Sequence, residues 1–243
     1  RGDRQGLEAL IEDKGGFKHH LEIGVKPDQM EFEGTTYYHV FVLRAYLIAA
    51  EMAERVGISL YDYTAADGQS MKGMLETIAN LSDDQGMLPA PHDGPLARLP
   101  YAREIAEITE QGIARYEMEQ LVPVLREVYR QMGSDNGSRL HLEGLLYGEG
   151  ADLNQRSQPT DGSSRRTAYW PDSGFVIGRM AGNPLSFLAD FGEHGGSHGH
   201  YDKLHVSLTH TSSAWTPDFG MVPYGSSLRK GWFAETASHN TVS

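Results

Sequence analysis

Apolar positions in the first two thirds of the chain recur at helical spacing. From Tyr38 to Val56 they fall at Val42, Tyr46, Ala49, Ala50 and Ala53, and Gly57 suits the end of that helix. Met71 to Leu81 predicts a second helix, followed by the turn Asp83-Asp84-Gln85-Gly86. Ala102 to Arg115 and Met118 to Met132 predict two more, with Gly133 closing the last and Pro123 suited to the first turn of a shorter one. Helices joined by loops rich in Pro, Gly and Asp imply antiparallel hairpins in a bundle or toroid. Composition shifts near Gly148, and Ala151 to Arg166 is polar, as in a linker or exposed loop. The period then changes to that of strands, at Phe175–Arg179, Leu185–Asp190 and Leu204–Leu208, separated by Gly and Pro. The expectation is an α+β chain: a helical portion over 1–150, a linker over 151–166 and an antiparallel sheet portion over 167–243.

Composition narrows the function classes. The 243 residues leave room for one large domain or two smaller ones. A formal net charge of −12 argues against a general nucleic-acid binder, whose footprint is basic. No apolar run approaches the ~20 residues that span a bilayer. Cysteine is absent, so any bound metal must use histidine and carboxylate. The chain opens on Arg1 and stops inside the apparently structured His239-Asn240-Thr241-Val242-Ser243, so it reads as an internal fragment. Oligomeric state is left open.

Candidate chemistry concentrates in His194-Gly195-Gly196-Ser197-His198-Gly199-His200-Tyr201-Asp202, three imidazoles and a carboxylate among glycines that would let the backbone approach a ligand. In an alternating strand His198 and His200 share a face, so one can bind a metal while the other meets a substrate. Asp218 and His239 suit the same site.

Four motifs in order resemble the heparinase II/III-like polysaccharide lyases, a group with oligoalginate and heparin or heparan sulfate lyases. They are Glu33-Gly34-Thr35-Thr36-Tyr37-Tyr38-His39, Pro171-Asp172-Ser173-Gly174-Phe175, His198-Gly199-His200-Tyr201-Asp202-Lys203-Leu204 and Ser238-His239-Asn240-Thr241-Val242. The resemblance implies the C-terminal part of an α/α toroid followed by the start of an antiparallel β-sandwich, with the active site between them. It implies Tyr38 as the acid that protonates the leaving oxygen, and as a candidate base, with Tyr37 as fallback. His198 would stabilise the substrate carboxylate or act as base. His200, Asp218 and His239 would hold a structural zinc ion, with Asp202 orienting one of the imidazoles. A tyrosine can serve as base if its pKa of about 10 is lowered by nearby cations. The resemblance also places a carboxylate-neutralising Asn or His before Arg1, outside this chain.

His39 is expected to shape the pocket and bind substrate, and His194, Tyr224 and Arg229 to contact the sugar or its carboxylate, arginine being suited to bidentate carboxylate binding. His19, His20 and His92 have no argued partner and read as structural. The partner implied is an anionic uronate-containing glycan, with alginate oligosaccharide ranked ahead of heparin or heparan sulfate because Lys and Arg are scattered. Two other readings are a toroid-fold glycoside hydrolase using a carboxylate pair such as Glu33 and Asp93, and a non-catalytic, zinc-braced carbohydrate-binding module.

Overall fold

The computed structural model describes residues 4–95, 99–134, 141–148, 153, 167–180, 182–211 and 213–242. Seven α-helices precede the sheet among these residues: α1 Arg4–Glu12, α2 Phe17–Gly24, α3 Thr36–Glu54, α4 Met71–Leu81, α5 Ala102–Tyr116, α6 Val122–Gln131 and α7 Leu142–Tyr147. Five strands follow: β1 Ala168–Trp170, β2 Phe175–Arg179, β3 Leu185–Asp190, β4 Val206–His210 and β5 Ser213–Ala214.

The helical pattern is realised where apolar spacing is strongest. α4 occupies the predicted range, and Ser70 caps it by accepting a hydrogen bond from the Gly73 amide at 3.0 Å. α3 begins two residues earlier than predicted because the Thr35 hydroxyl accepts from the Tyr38 amide at 2.9 Å and starts the helix there. The single helix expected over Met118–Met132 is instead a short 3₁₀ turn, Glu119–Leu121, leading into α6. The break follows from Pro123, which lacks an N–H and fits only a first helical turn. The short helices α1, α2 and α7 had no comparable sequence signal.

α5 packs against α3, α4, α6 and α7. Their shared interior holds Leu43 and Leu47 of α3, Met74, Leu75 and Ile78 of α4, Ile108 of α5, and Leu125 and Tyr129 of α6.

The strands form one antiparallel meander in the order β1-β2-β3-β4-β5. β2 and β3 keep their predicted bounds and pair from Phe175 opposite Asp190 to Arg179 opposite Ser186. β4 begins two residues later than predicted. Leu204 adopts a left-handed backbone conformation (φ 66°) and its amide bonds the Asp190 carbonyl at 2.6 Å, so pairing starts at Val206 opposite Ala189.

Sheet and helices share one core, since Trp170, Phe175, Ile177 and Leu188 join the helical cluster. Trp170 Nε1 donates to Thr77 Oγ1 of α4 at 3.3 Å. The Arg179 guanidinium donates to the carbonyls of Asn80 and Ser82 at the end of α4, at 2.8 and 3.0 Å. The Asp28 carboxylate accepts from the Ser173 amide and hydroxyl at 2.7 and 2.9 Å. The linker expected over 151–166 lies outside the described residues except at Leu153. That residue is fully buried in the core rather than exposed, because the apolar side chain joins the cluster and its carbonyl accepts from Arg126.

Candidate active site and metal cluster

Four stretches of chain meet where the sheet's loops face the start of α3. The first is the turn Glu31–Gly34 leading into the helix. The second is the turn Pro91–Gly94, closed by the Gly94 amide on the Pro91 carbonyl at 2.9 Å. The third is the His194–Asp202 loop, and the fourth runs from Asp218 to His239.

The third stretch is not a strand. His198 ends a 3₁₀ turn, Gly196–His198, and His200 follows in irregular chain. The strand premise behind the pairing of His198 and His200 is therefore corrected, and the two rings occupy different surroundings: His198 is partly exposed and His200 buried. The glycines also serve another purpose than ligand approach. A side chain at Gly195 would strike the Glu33 carbonyl, and one at Gly199 would strike the Gly195 backbone. They allow backbone to lie on backbone and so seat the loop against the entry to α3.

Tyr38, in the first turn of α3, stacks on His198 with ring centroids 3.9 Å apart and planes inclined by 27°. The Tyr38 and Tyr224 hydroxyls are hydrogen-bonded, and the Tyr224 hydroxyl lies 3.3 Å from His198 Nδ1. The Arg229 guanidinium sits 4.5 Å above the Tyr224 ring. Tyr37 turns away and packs on Tyr101, centroids 4.1 Å apart. The Tyr38 phenol is not acidified by cations, as the sequence reading allowed. Burial pushes its pKa up, and the Tyr224 contact and the charges of Asp93 and Glu33 push it further, so it holds its proton near neutrality.

Behind these rings lies Asp93, fully buried. Oδ2 is 3.0 Å from His198 Nδ1, Oδ1 is 3.2 Å from His200 Nε2, and the Arg229 guanidinium bonds Oδ2. Burial alone would raise this carboxyl. The hydrogen bonds from His200, Arg229 and His198 outweigh it and hold the pKa below the usual carboxylate range.

His200, Asp218 and His239 converge: one ligand atom from each lies within 4.8 Å of the others. His200 Nδ1 is 3.2 Å from His239 Nε2, which is 3.8 Å from Asp218 Oδ2. His239 Nδ1 lies 2.9 Å from the Glu235 carbonyl, which can only accept, so this nitrogen carries the proton and Nε2 a lone pair. Burial raises the Asp218 carboxyl to about 7, a cost that a cation would relieve, and lowers the His239 imidazole, which favours the neutral form that a metal needs.

Beside it is a second buried cluster, with His92 Nδ1 2.9 Å from Asp202 Oδ2 and His92 Nε2 3.3 Å from Asp190 Oδ2. Burial disfavours the charged imidazole, yet the contact with Asp202 and the charges of Asp202 and Asp190 leave its pKa raised. Asp202 thus engages His92 most closely and stands 3.9 Å from His239.

Parts of the chain are similar to known proteins. Residues 162–243 match the family model described as heparinase II/III-like, C-terminal. Residues 17–87 match the family model described as alginate lyase. No curated protein matches the chain. Among solved structures, a mutant of the heparan sulfate lyase HepC from Pedobacter heparinus is similar in fold, with a TM-score of 0.62 at 18% identity over 96% of this chain and 32% of that one. A heparinase III superposes with a TM-score of 0.57 at 15% identity over 93% of this chain and 34% of that one. The chain spans about a third of the length of these structures.

The heparinase II/III-like stretch supplies His198, His200, Asp218, Tyr224, Arg229 and His239, and the alginate-lyase-like stretch supplies Tyr38. His39 is corrected. It is fully buried, its Nδ1 accepts from the Glu31 amide at 3.1 Å and its Nε2 lies 2.9 Å from the Met74 carbonyl, so no ring atom remains for a sugar. Burial drops its pKa to about 4. Arg229 is likewise corrected from a contact for the sugar or its carboxylate to a buried partner of Asp93 and the Ser197 carbonyl. His194 is exposed, its ring 5.0 Å from that of Tyr201. His92 has partners after all. It and Asp93 escaped a metal or lyase role in the sequence reading because their partners lie about a hundred positions away, and Pro91-His92-Asp93-Gly94 reads locally as a turn.

Proposed function

We propose that this chain carries part of the active site of a polysaccharide lyase that cleaves a uronic-acid-containing glycan by β-elimination. The observation that carries the reading is the Tyr38 ring stacked on His198 with the Tyr224 hydroxyl touching both. In the proposed reaction the C5 proton, acidic because it lies next to the carboxylate, passes to His198 or another base. The C5–H electron pair becomes the C4–C5 double bond and the C4–O bond breaks. Tyr38 delivers its proton to the departing oxygen, a role suited to a phenol held protonated. Tyr224 binds substrate at the same opening. Alginate oligosaccharide remains ranked ahead of heparin or heparan sulfate.

The same proposal assigns the helices to the C-terminal part of an α/α toroid (1–150), 151–166 to a connection, and the sheet to the start of a β-sandwich (167–243). It also assigns zinc to His200, Asp218 and His239. Ligand atoms ~2.0–2.2 Å from a tetrahedral ion lie ~3.4 Å apart, close to the separations in the cluster. Zinc there would brace the loop that carries His198.

The hydrolase reading loses support because Asp93 is buried and committed to three partners, leaving it no access to a glycosidic oxygen. The test is a panel of uronate glycans offered to the full-length protein, read by the ultraviolet absorbance of the unsaturated product. Tyr38→Phe should lower kcat by ~10²–10⁴-fold with KM little changed. Products without the double bond would reject the lyase, and no turnover at all would favour the binding module.

A further inference from the structure

Asp93 and His198 are joined twice, through the side-chain contact at 3.0 Å and through the Asp93 amide on the His198 carbonyl at 3.1 Å. The other carboxylate oxygen reaches His200 at 3.2 Å. Ionised, a carboxylate only accepts, so each nitrogen facing it must carry a hydrogen. A neutral imidazole has one such hydrogen, and placing it fixes where the lone pair goes.

We propose that Asp93 is a positioning residue that sets the tautomers of two functionally different histidines with one carboxylate. His198 is held as the Nδ1–H form, which leaves the lone pair on Nε2, a nitrogen beyond hydrogen-bond distance of its nearest carboxylate oxygen, Glu33 Oε1 at 3.9 Å. His200 is held as the Nε2–H form, which turns the Nδ1 lone pair toward His239 Nε2 and Asp218. The site for the metal and the base for the reaction are thereby prepared by the same buried group. Arg229 supplies the compensating charge that lets Asp93 stay ionised without solvent. His92, the preceding residue, is anchored by Asp202 and Asp190 and fixes the turn from its other side. The assignment of Nε2 as base rests on the lyase reading; the two tautomers and the metal affinity do not.

The test has two arms on the full-length protein. Nitrogen-15 imidazole spectra of the zinc-loaded wild type should show His198 protonated at Nδ1 and His200 at Nε2. The opposite tautomer at either residue overturns the proposal, and this arm needs no variant to fold. In Asp93→Asn one of the two accepting oxygens becomes a donating NH2, so the side chain cannot accept from both rings. Zinc affinity, measured by competition with a chelator, should fall ~10–100-fold, and kcat about tenfold or more while KM stays within about twofold. Retention of zinc affinity, or a loss of activity carried by KM, overturns the proposal. A wild type without lyase activity would reject the proposed function, and the spectra and zinc affinity would still decide this one.

Discussion

At the scale of single residues, two adjacent tyrosines are told apart by what they touch. Tyr37→Phe removes a hydroxyl from a ring packed on Tyr101, so kcat should stay within a few-fold of wild type where Tyr38→Phe loses most of it. Parallel turnover assays of the two variants check this, and equal losses would reject the assignment. Glu31 offers a second test, independent of catalysis. It is buried, and burial with the nearby Glu33 charge raises its pKa to about 8. The native state therefore holds this proton more tightly than the unfolded chain does. Its contribution to stability is full below about pH 4.5 and is lost as pH rises through about 8. Glu31→Gln keeps an acceptor for the Glu33 amide and removes the ionisation. Relative to wild type it should be more stable at pH 8.5 than at pH 5, read from urea midpoints at the two values. Tyr38, His198 and the three cluster residues were legible as motif residues, since their chemistry is concentrated in short runs. Asp93 was named only as a hydrolase carboxylate and Arg229 only as a contact for the sugar or its carboxylate, because burial and partnership are properties of the fold.

At the scale of elements, apolar periodicity located α4, β2 and β3 to the residue, since in each the pattern and the capping or turn residues agree. It failed where one backbone angle overrides the pattern, as at Leu204, whose left-handed conformation delays β4. The α3 start ties an element end to the candidate site. The Thr35 side chain is buried and its oxygen satisfies the Tyr38 amide, so the cap and the proposed acid share a hydrogen bond. Thr35→Ala should cost about 0.5–2 kcal/mol and Thr35→Ser much less, compared by denaturant unfolding. Equal losses would mean that the methyl group, not the oxygen, is what matters.

At the scale of the molecule, helices and sheet were predicted as successive portions, and the described residues put them on one core. Nothing in a polar 151–166 stretch announces that, because the ties are made by Trp170, Ser173 and Arg179 reaching back to residues 93 to 145 positions earlier. Arg179→Ala should lower the melting temperature, and the buried Trp170 fluorescence and the far-ultraviolet helical signal should shift together. Separate shifts would indicate two independently melting parts. Added zinc should raise the melting temperature with concentration, as a ligand of the native state does, and His239→Ala should remove that dependence. A zinc response that survived the substitution would move the metal elsewhere.

The order of the cluster along the chain has a consequence for biosynthesis. His200 and Asp218 emerge from the ribosome before His239, which sits beyond the turn Thr236–Ser238. Until then the nascent chain presents one imidazole and one carboxylate, a pair with little hold on a metal ion. The loop bearing His198 is already complete at that stage, yet lacks the third of the proposed zinc ligands. With zinc held as proposed, released chains truncated before residue 239 should therefore retain far less zinc than chains that include it.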